Sequence, residues 1–177
     1  MHGRTVGMCG AEVTSKIDAA WAVLATVLDP EVPAVSVLDL GIVRDVISHD
    51  DGLEIVLTPT YSGCPATEAI EHDVLQALEA AGLGPARVSL RRAPAWTTDW
   101  ITPQGRAKLL AYGIAPPGPL QAGEVAVVRF MQRAPALACP RCASLQTERL
   151  SAFGATACKA LYRCLACREP FEHFKPI

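Results

Sequence analysis

The chain has 177 residues, of which 50% are hydrophobic and 19% are charged, and its formal net charge is −2. This apolar content excludes a mainly disordered protein, because disorder requires low hydrophobicity and high net charge. No stretch approaches the roughly 20 uncharged residues that a membrane span needs, and the N-terminus lacks the apolar core of a signal peptide. We therefore expect a soluble, cytoplasmic protein that makes no membrane contact.

The charge is divided unevenly along the chain. Residues 1–135 carry 10 Lys and Arg against 15 Asp and Glu, whereas residues 136–177 carry 6 against 3. A nucleic-acid-binding domain usually shows a strong basic excess, because neutralising phosphates supplies most of its affinity. Only the short tail is mildly basic, so the sequence does not favour a nucleic-acid partner.

The first predicted element is a helix that Thr14 or Ser15 can cap. Its apolar stripe recurs at helical spacing and comprises Ile17, Trp21, Leu24, Val27 and Leu28. The helix should end at Asp29-Pro30-Glu31-Val32-Pro33, because proline lacks an N–H and disfavours helix in the residue before it. Strand-like runs at 42–48 and 53–58 then flank Asp51-Gly52, a dipeptide typical of β-hairpins.

A second helix is expected after Cys64, with Pro65 in the first helical position and Gly82 beyond its end. One apolar face supports it and consists of Ile70, Val74, Ala77, Leu78 and Ala81. A third strand is predicted over 87–92, and a third helix over 103–112, between the cap Thr102 and Gly113. The proline-rich run 115–119 is typical of a stiff linker, and 123–132 is a candidate strand.

The order α-β-β-α-β predicts an α+β fold with a small mixed sheet and two to three helices, followed by a C-terminal zinc-ribbon-like β domain. We expect the α+β domain at residues 12–114, the linker and candidate strand at 115–134, and the ribbon at 135–177.

The cysteines are concentrated in the tail, where five of the seven follow residue 138. An odd number of clustered cysteines without a secretion signal argues against a disulfide framework. Four of them form two Cys-x-x-Cys pairs with 21 residues between the pairs, namely Cys139, Cys142, Cys164 and Cys167. Two such turns supply the four thiolates of a tetrahedral site, so we expect them to bind one metal ion.

The expected ion is zinc by default, although the same four thiolates also hold iron. Redox-active or chance pairs are the alternative. A tail of roughly 40 residues builds little core, so we expect the metal to fold it. Strands are predicted over 145–150, 160–163 and 169–174. Cys158 lies among them, and its plain interpretation is a small packed residue.

The segment 58–65 joins a strand to a helix N-terminus, where free backbone N–H groups and the helix dipole favour an anion. Cys64 at this place can react or bind metal as a thiolate, and the alternative is a small residue buried at a tight turn. Asp29, Glu31 and Asp39 would lie near it if the loop after the first helix sits at the same end. Their alternative role is to end the helix and form turns.

Trp96 and Trp100 lie in a loop-like stretch, where two exposed indole rings are costly. They are therefore candidate docking residues for a partner protein. The alternative is a loop that folds both rings back over the core.

Roughly residues 15–110 resemble the SufT-like iron–sulfur assembly family. The resemblance rests on three stretches, 29–33, 37–43 and 58–65. Further stretches are similar to one branch of this family, the PaaD family (also called PaaJ) of the bacterial phenylacetyl-CoA epoxidase system. These stretches are 94–100, 112–117 and 153–164, together with the ribbon cysteines. The resemblance covers nearly the whole chain and leaves out only the first dozen residues.

The resemblance implies an accessory role. In that system a di-iron oxygenase subunit epoxidises the ring of phenylacetyl-CoA, and a reductase with flavin and a 2Fe–2S cluster supplies electrons. The present sequence has no Glu-x-x-His pair, no ferredoxin cysteine run and no glycine-rich nucleotide motif. The family's cysteine corresponds to Cys64, and its acidic motif to Asp29 and Glu31.

Two functions follow from the resemblance. The chain is either a maturation factor that helps to insert iron or an iron–sulfur cluster into the oxygenase or reductase, or a non-catalytic docking subunit of the epoxidase complex. One thiolate is too few to hold a cluster, so Cys64 of a second copy in a homodimer, or Asp29 or Glu31, would complete a labile site. An enzyme with a Cys64 nucleophile is disfavoured, because no base is apparent.

Overall fold

The computed structural model describes residues 10–61, 63–118 and 137–176. The elements of the first part of the chain are α1 (Gly10–Leu24), β1 (Val43–His49), β2 (Gly52–Leu57), α2 (Ala66–Ala80), β3 (Ala86–Leu90), a 3-10 turn (Thr98–Trp100), α3 (Pro103–Tyr112) and β4 (Ile114–Ala115). Those of the tail are β5 (Thr147–Ser151), β6 (Lys159–Cys164) and β7 (Pro170–Phe174). None of the described helices has the length and apolar character that crossing a membrane requires.

The first sheet is mixed and has the strand order β1-β2-β3. Strands β1 and β2 form the expected hairpin, in which His49 pairs with Gly52, and β3 lies parallel to β2. The central strand β2 is buried almost throughout, and α1 and α2 contact each other as well as strands β1 and β3 respectively. This architecture confirms the predicted α+β fold.

Helix α1 differs from the prediction at both ends. It begins at Gly10, before the proposed caps, and it ends at Leu24. The Thr26 hydroxyl donates to the Val23 carbonyl at 2.7 Å, a local bond that competes with the helix. Leu28, which we assigned to the apolar stripe, instead pairs with Ser36 in an isolated bridge and is 47% exposed.

The other predicted elements that fall on described residues are confirmed to within a few residues. Helix α3 has the predicted bounds, because the Thr102 hydroxyl accepts a hydrogen bond from the Gly105 N–H at 2.9 Å and Gly113 ends the helix at a φ of 94°. Helix α2 starts directly after Pro65, and Gly82 follows its end with a φ of 70°. The candidate strand at 123–132 lies outside the described residues.

The tail forms a four-stranded sheet in the order β4-β7-β6-β5. Strand β4, which directly follows α3, lies parallel to β7 and pairs Ile114 with Glu172 and Ala115 with His173. The run that we expected to be a linker therefore starts as a buried strand of the ribbon's sheet, and Ala115 is 1% exposed. The boundaries at residues 114 and 135 stay predictions.

The ribbon also packs into the core of the first domain. Phe174 and Cys158 are both buried in the hydrophobic cluster that includes Leu40, Ile42 and Ile70. The start of β6 and the end of β7 therefore lie next to the loop 29–33, which we call the acidic loop, and next to the segment 58–65 that carries Cys64.

Candidate metal centre and cysteine cavity

The two Cys-x-x-Cys pairs adopt matching turns. The N–H of Cys139 donates to the carbonyl of Ser144 at 3.0 Å, and the N–H of Cys164 donates to the carbonyl of Glu169, also at 3.0 Å. Both bonds run from the first cysteine of a pair to the residue five positions later. The second pair therefore repeats the backbone turn of the first, which brings the four sulfurs to one point.

The four sulfurs have the spacing of a tetrahedral metal site. The Sγ atoms of Cys139 and Cys167 lie 3.8 Å apart, those of Cys142 and Cys164 lie 3.6 Å apart, and all four lie within 4.8 Å of one another. A tetrahedral ion with metal–sulfur bonds of about 2.3 Å requires sulfur–sulfur distances of about 3.8 Å. The residues present therefore fit one metal ion, which would hold the ribbon together.

The backbone around Cys164 favours its thiolate. A hydrogen bond from the N–H of Cys167, joined by one from Ala166, lowers the pKa of Cys164 to about 6. A thiolate is the form that binds a metal ion.

A second site lies where the first domain meets the ribbon. Asp29, Glu31, Cys64 and Cys158 line a cavity with a volume of ≈ 20 Å³. We call it the Cys64 cavity. A void of this size accommodates one water molecule or one ion, because a single water needs about 10–15 Å³ by the same measure. The cavity thus brings together Cys64, Asp29 and Glu31, which are three of the four residues that the sequence grouped, and it adds Cys158.

Cys64 stands two residues before α2. Its carbonyl accepts from the Thr67 N–H at 3.1 Å, and its own N–H donates to the Tyr61 carbonyl at 3.3 Å. Burial, followed by the charge of Cys64 and a hydrogen bond between the two side chains, raises the pKa of Tyr61 to about 12. Tyr61 therefore stays protonated at neutral pH and can donate to a Cys64 thiolate.

Asp29 shapes the turn after α1. Its Oδ1 atom accepts from the N–H groups of Glu31 at 3.0 Å and Val32 at 2.8 Å. Burial raises the pKa of this carboxyl, although the two N–H groups act in the opposite direction. The Asp29 side chain therefore both forms the turn and lines the cavity.

Glu31 connects the turn to the ribbon. Burial, and then the charge of Asp29, raises the pKa of its carboxyl, while Lys159 and a hydrogen bond with Thr156 lower it. The Thr156 hydroxyl also lies 3.0 Å from the sulfur of Cys158. A chain of contacts therefore runs from the acidic loop to the second cysteine of the cavity.

Cys158 is the site residue that sequence analysis missed. Its side chain is 5% exposed, and burial raises the pKa of its thiol. Packing does describe it, as the plain interpretation held, but the place where it packs is the wall of the Cys64 cavity. The available signal was its position inside the stretch 153–164, which the resemblance had marked.

Asp39 lies elsewhere. Its carboxylate accepts from the Ser36 N–H at 2.8 Å and pairs with Lys108 at 2.7 Å. Burial would raise its pKa, but the bonds from Lys108 and Ser36 prevail and lower it. Asp39 is therefore a turn residue, and it is not among the residues that line the Cys64 cavity.

The tryptophan loop corrects our expectation for Trp96. This indole is 3% exposed, and its N–H donates to the Leu40 carbonyl at 2.9 Å, so the ring offers no docking surface. Trp100 is half-buried, and the guanidinium of Arg44 lies 3.6 Å from its ring centroid. The loop can approach this closely because Gly41 has a φ of +67°, where a Cβ would stand 2.6 Å from the Trp100 carbonyl.

Comparison with known proteins agrees with the two-part architecture. Residues 17–90 match the family described as iron-sulfur cluster assembly protein, and residues 125–175 match the PaaD zinc beta ribbon domain. The chain is 48% identical, over 92% of its length, to a protein of Escherichia coli (strain K12) that is provisionally named as the D component of 1,2-phenylacetyl-CoA epoxidase, and it covers 94% of that protein.

Two other relatives match the first part of the chain. A protein of Porphyromonas gingivalis (strain ATCC BAA-308 / W83) named Fe-S protein maturation auxiliary factor is 34% identical over 49% of this chain and 83% of its own. The crystal structure of a domain of unknown function, DUF59, from Bacillus anthracis superposes with a TM-score of 0.52 at 26% identity, and the match covers 56% of this chain and 97% of that one.

Proposed function

The chain belongs to the PaaD family of phenylacetyl-CoA epoxidase components, and on that premise we propose that it is an accessory protein that helps to insert iron or an iron–sulfur cluster into the multicomponent epoxidase. Iron is then the cargo of the protein. Its binding place would be the Cys64 cavity, and the client would be the oxygenase or the reductase.

The Cys64 cavity is the observation that carries this proposal. It combines a thiol with the carboxylates of Asp29 and Glu31, and all three of these residues belong to the segment 17–90 that matches iron–sulfur cluster assembly proteins. Thiolate and carboxylate are both ligands of iron. Cys64 is half-buried, so an ion held there keeps a route to a client.

The size of the cavity favours a role in delivering an ion over a role in converting a substrate. A void of ≈ 20 Å³ has room for an ion but not for an acyl-CoA thioester. Small-molecule sites have volumes of about 300–1,000 Å³. No histidine is among the described residues that line the cavity, so a Cys64 nucleophile would have no imidazole base there.

The experiment is co-expression of the oxygenase and reductase with the wild-type chain, with Cys64→Ser or with Cys64→Ala, under anaerobic purification. We expect the iron content of the client to fall, with either variant, to that of cells lacking the chain. Equal losses assign the role to the sulfur, because serine keeps a hydrogen-bonding group. Cys9→Ser is the matched control, since it removes a thiol while all the described lining residues of the cavity are kept.

A docking component of the epoxidase complex is the second candidate, and the name of the Escherichia coli relative favours it. It predicts that client iron is equal with all four chains, while epoxidase activity still requires the chain in stoichiometric amounts. That result would overturn the maturation proposal.

A further inference from the structure

An open groove with a volume of ≈ 570 Å³ lies between the chain that follows α1 and one face of α2. Residues 26–30 and Pro33 form one wall, and α2 forms the other. Asp29 lines this groove as well as the Cys64 cavity, so the two spaces are neighbours. We call it the α1–α2 groove.

The apolar part of the first wall is fixed by backbone hydrogen bonds. Leu28 is 47% exposed there. On either side of it the Val37 N–H donates to the Val27 carbonyl at 2.9 Å, and the Asp29 N–H donates to the Val35 carbonyl, also at 2.9 Å. Leu28 is therefore exposed at a defined place, and a partner that binds it has no loop to order first.

The second wall is a stripe of α2 at helical spacing, consisting of Asp73, Gln76, Ala77 and Ala80. The two alanines have short side chains, which leaves room for an apolar side chain from outside. Asp73 and Gln76 add a carboxylate and an amide to the same wall. The groove thus offers apolar surface together with one acidic group on α2.

The charges around the groove are negative. Its described lining residues include Asp29 and Asp73 but no Lys, Arg or His. Helices α1 and α2 both end near the groove, and neither has a basic residue in its last turn to offset the negative end of its dipole. Helix α2 also carries four acidic residues and no Lys or Arg. This field disfavours an anionic ligand such as an acyl-CoA and favours a cationic side chain.

We propose that the α1–α2 groove is the docking place of the client protein. The client would bind through a short segment that packs an apolar side chain against Leu28 and the α2 alanines and places a Lys or Arg beside Asp73. The inference rests on the proposed function for the identity of the client as the oxygenase or the reductase. Docking here brings the client next to Asp29, which the groove shares with the Cys64 cavity, so the path of the iron is short.

The test is calorimetric titration of the full chain, with its ribbon metal bound, into purified oxygenase and into purified reductase, both anaerobically. We expect one of the two to bind. Leu28→Glu and Asp73→Lys should each weaken that binding by about 10-fold or more, because one removes the apolar contact and the other reverses the charge. Added salt should weaken binding of the wild type more than binding of Asp73→Lys.

Glu79→Lys is the matched control. It makes the same change of charge on an exposed residue of α2 that does not line the groove, so it should bind like the wild type. An unchanged urea midpoint shows that a variant keeps its fold. Leu28→Gln and Asp73→Asn are the milder substitutions to use if either of the first two variants unfolds more easily.

Three results would overturn the inference: wild-type affinity in both groove variants, an equal loss in Glu79→Lys, or a chain that binds neither client protein. Self-association that Leu28→Glu abolishes would likewise assign the groove to a second copy. If Cys64→Ser lowers client iron and the groove variants do not, the function stands and the docking place is wrong. If the groove variants lose binding while Cys64→Ser leaves client iron unchanged, the docking place is right and the delivery role is wrong.

Discussion

The indole of Trp96 packs against the phenyl ring of Phe174, with the ring centroids 6.0 Å apart and the planes inclined by 46°. One ring comes from the loop before α3 and the other from the last strand of the ribbon. Both are at most 3% exposed, so the two folding units share a core and do not merely touch.

Trp96→Ala should therefore weaken both units together. We expect a loss of about 3–5 kcal/mol in the free energy of unfolding, as for other buried aromatic residues truncated to alanine. Trp96→Phe keeps most of the ring but leaves the Leu40 carbonyl without its donor, at a cost of about 1–3 kcal/mol. Urea unfolding measures both, and Trp100→Ala, at a half-buried position, should cost less than Trp96→Ala.

Removal of the ribbon metal should release the tail. Because this segment has a small core of its own, a strong chelator should cause local unfolding of about residues 136–177 while β1, β2 and α2 stay protected. Hydrogen exchange would show the change in β6 and β7, and metal analysis should find one ion per chain beforehand. Full protection of β6 and β7 after loss of the ion would contradict a metal-dependent tail.

Asp29→Asn should raise stability at neutral pH. Burial raises the pKa of Asp29, so the ionised carboxylate destabilises the fold once the pH exceeds that value, and the penalty is absent below the unfolded value of 3.8. An amide oxygen still accepts from Glu31 and Val32. Urea unfolding should show the variant to be more stable at pH 7, with the difference vanishing near pH 3.

Asp39→Asn is the matched control, because the pKa of Asp39 is shifted in the opposite direction from that of Asp29. The pKa of Asp39 is lowered, so its ionised form stabilises the fold above the unfolded value and this contribution is lost as the pH falls. The variant should be less stable than wild type at pH 7. A shift of the same sign for both substitutions would mean that their environments do not differ as described.

The pKa of Tyr61 should depend on the charge of Cys64. The wild-type phenol should ionise near pH 12, above its ordinary value of 10.0. Cys64→Ala removes the neighbouring charge and should lower the Tyr61 pKa, although burial keeps part of the shift. Ultraviolet titration of the tyrosines gives the measurement, with Cys9→Ser as the reference, and identical curves for Cys64→Ala and wild type would show that the two side chains do not interact.

Short sequence motifs correctly predicted those features of the fold that depend on bonds between residues close in sequence. Thr102 and Gly113 bound α3 as a cap and a left-handed stop, the Asp-Gly turn joins β1 to β2, and the two cysteine pairs define the ribbon centre. Helical spacing was less reliable at Leu28, where a bridge to Ser36 replaces the helix. An apolar residue at the correct spacing is not helical if the backbone has another partner.

The contacts between the first domain and the ribbon could not be predicted from the sequence pattern. Nothing in Ile114-Ala115 indicates a strand, because its partner β7 follows more than 50 residues later and the pairing exists only after both units fold. The same holds for Cys158, whose neighbourhood is set by tertiary packing. The ligand cysteines could be found because their spacing is local within each pair, whereas the cavity thiols have no such regular spacing.

The position of Cys158 links the folding of the ribbon to the wall of the Cys64 cavity. Its loop is built on β6 and β7, the strands that the four ribbon cysteines hold together. A chain synthesised without the ribbon ion would still have Cys64 and both carboxylates, but the wall that Cys158 and Phe174 give the cavity would be missing. On the function that we propose, such a chain would have an open, incomplete cavity, so a copy that lacks the ribbon ion would not deliver iron to its client.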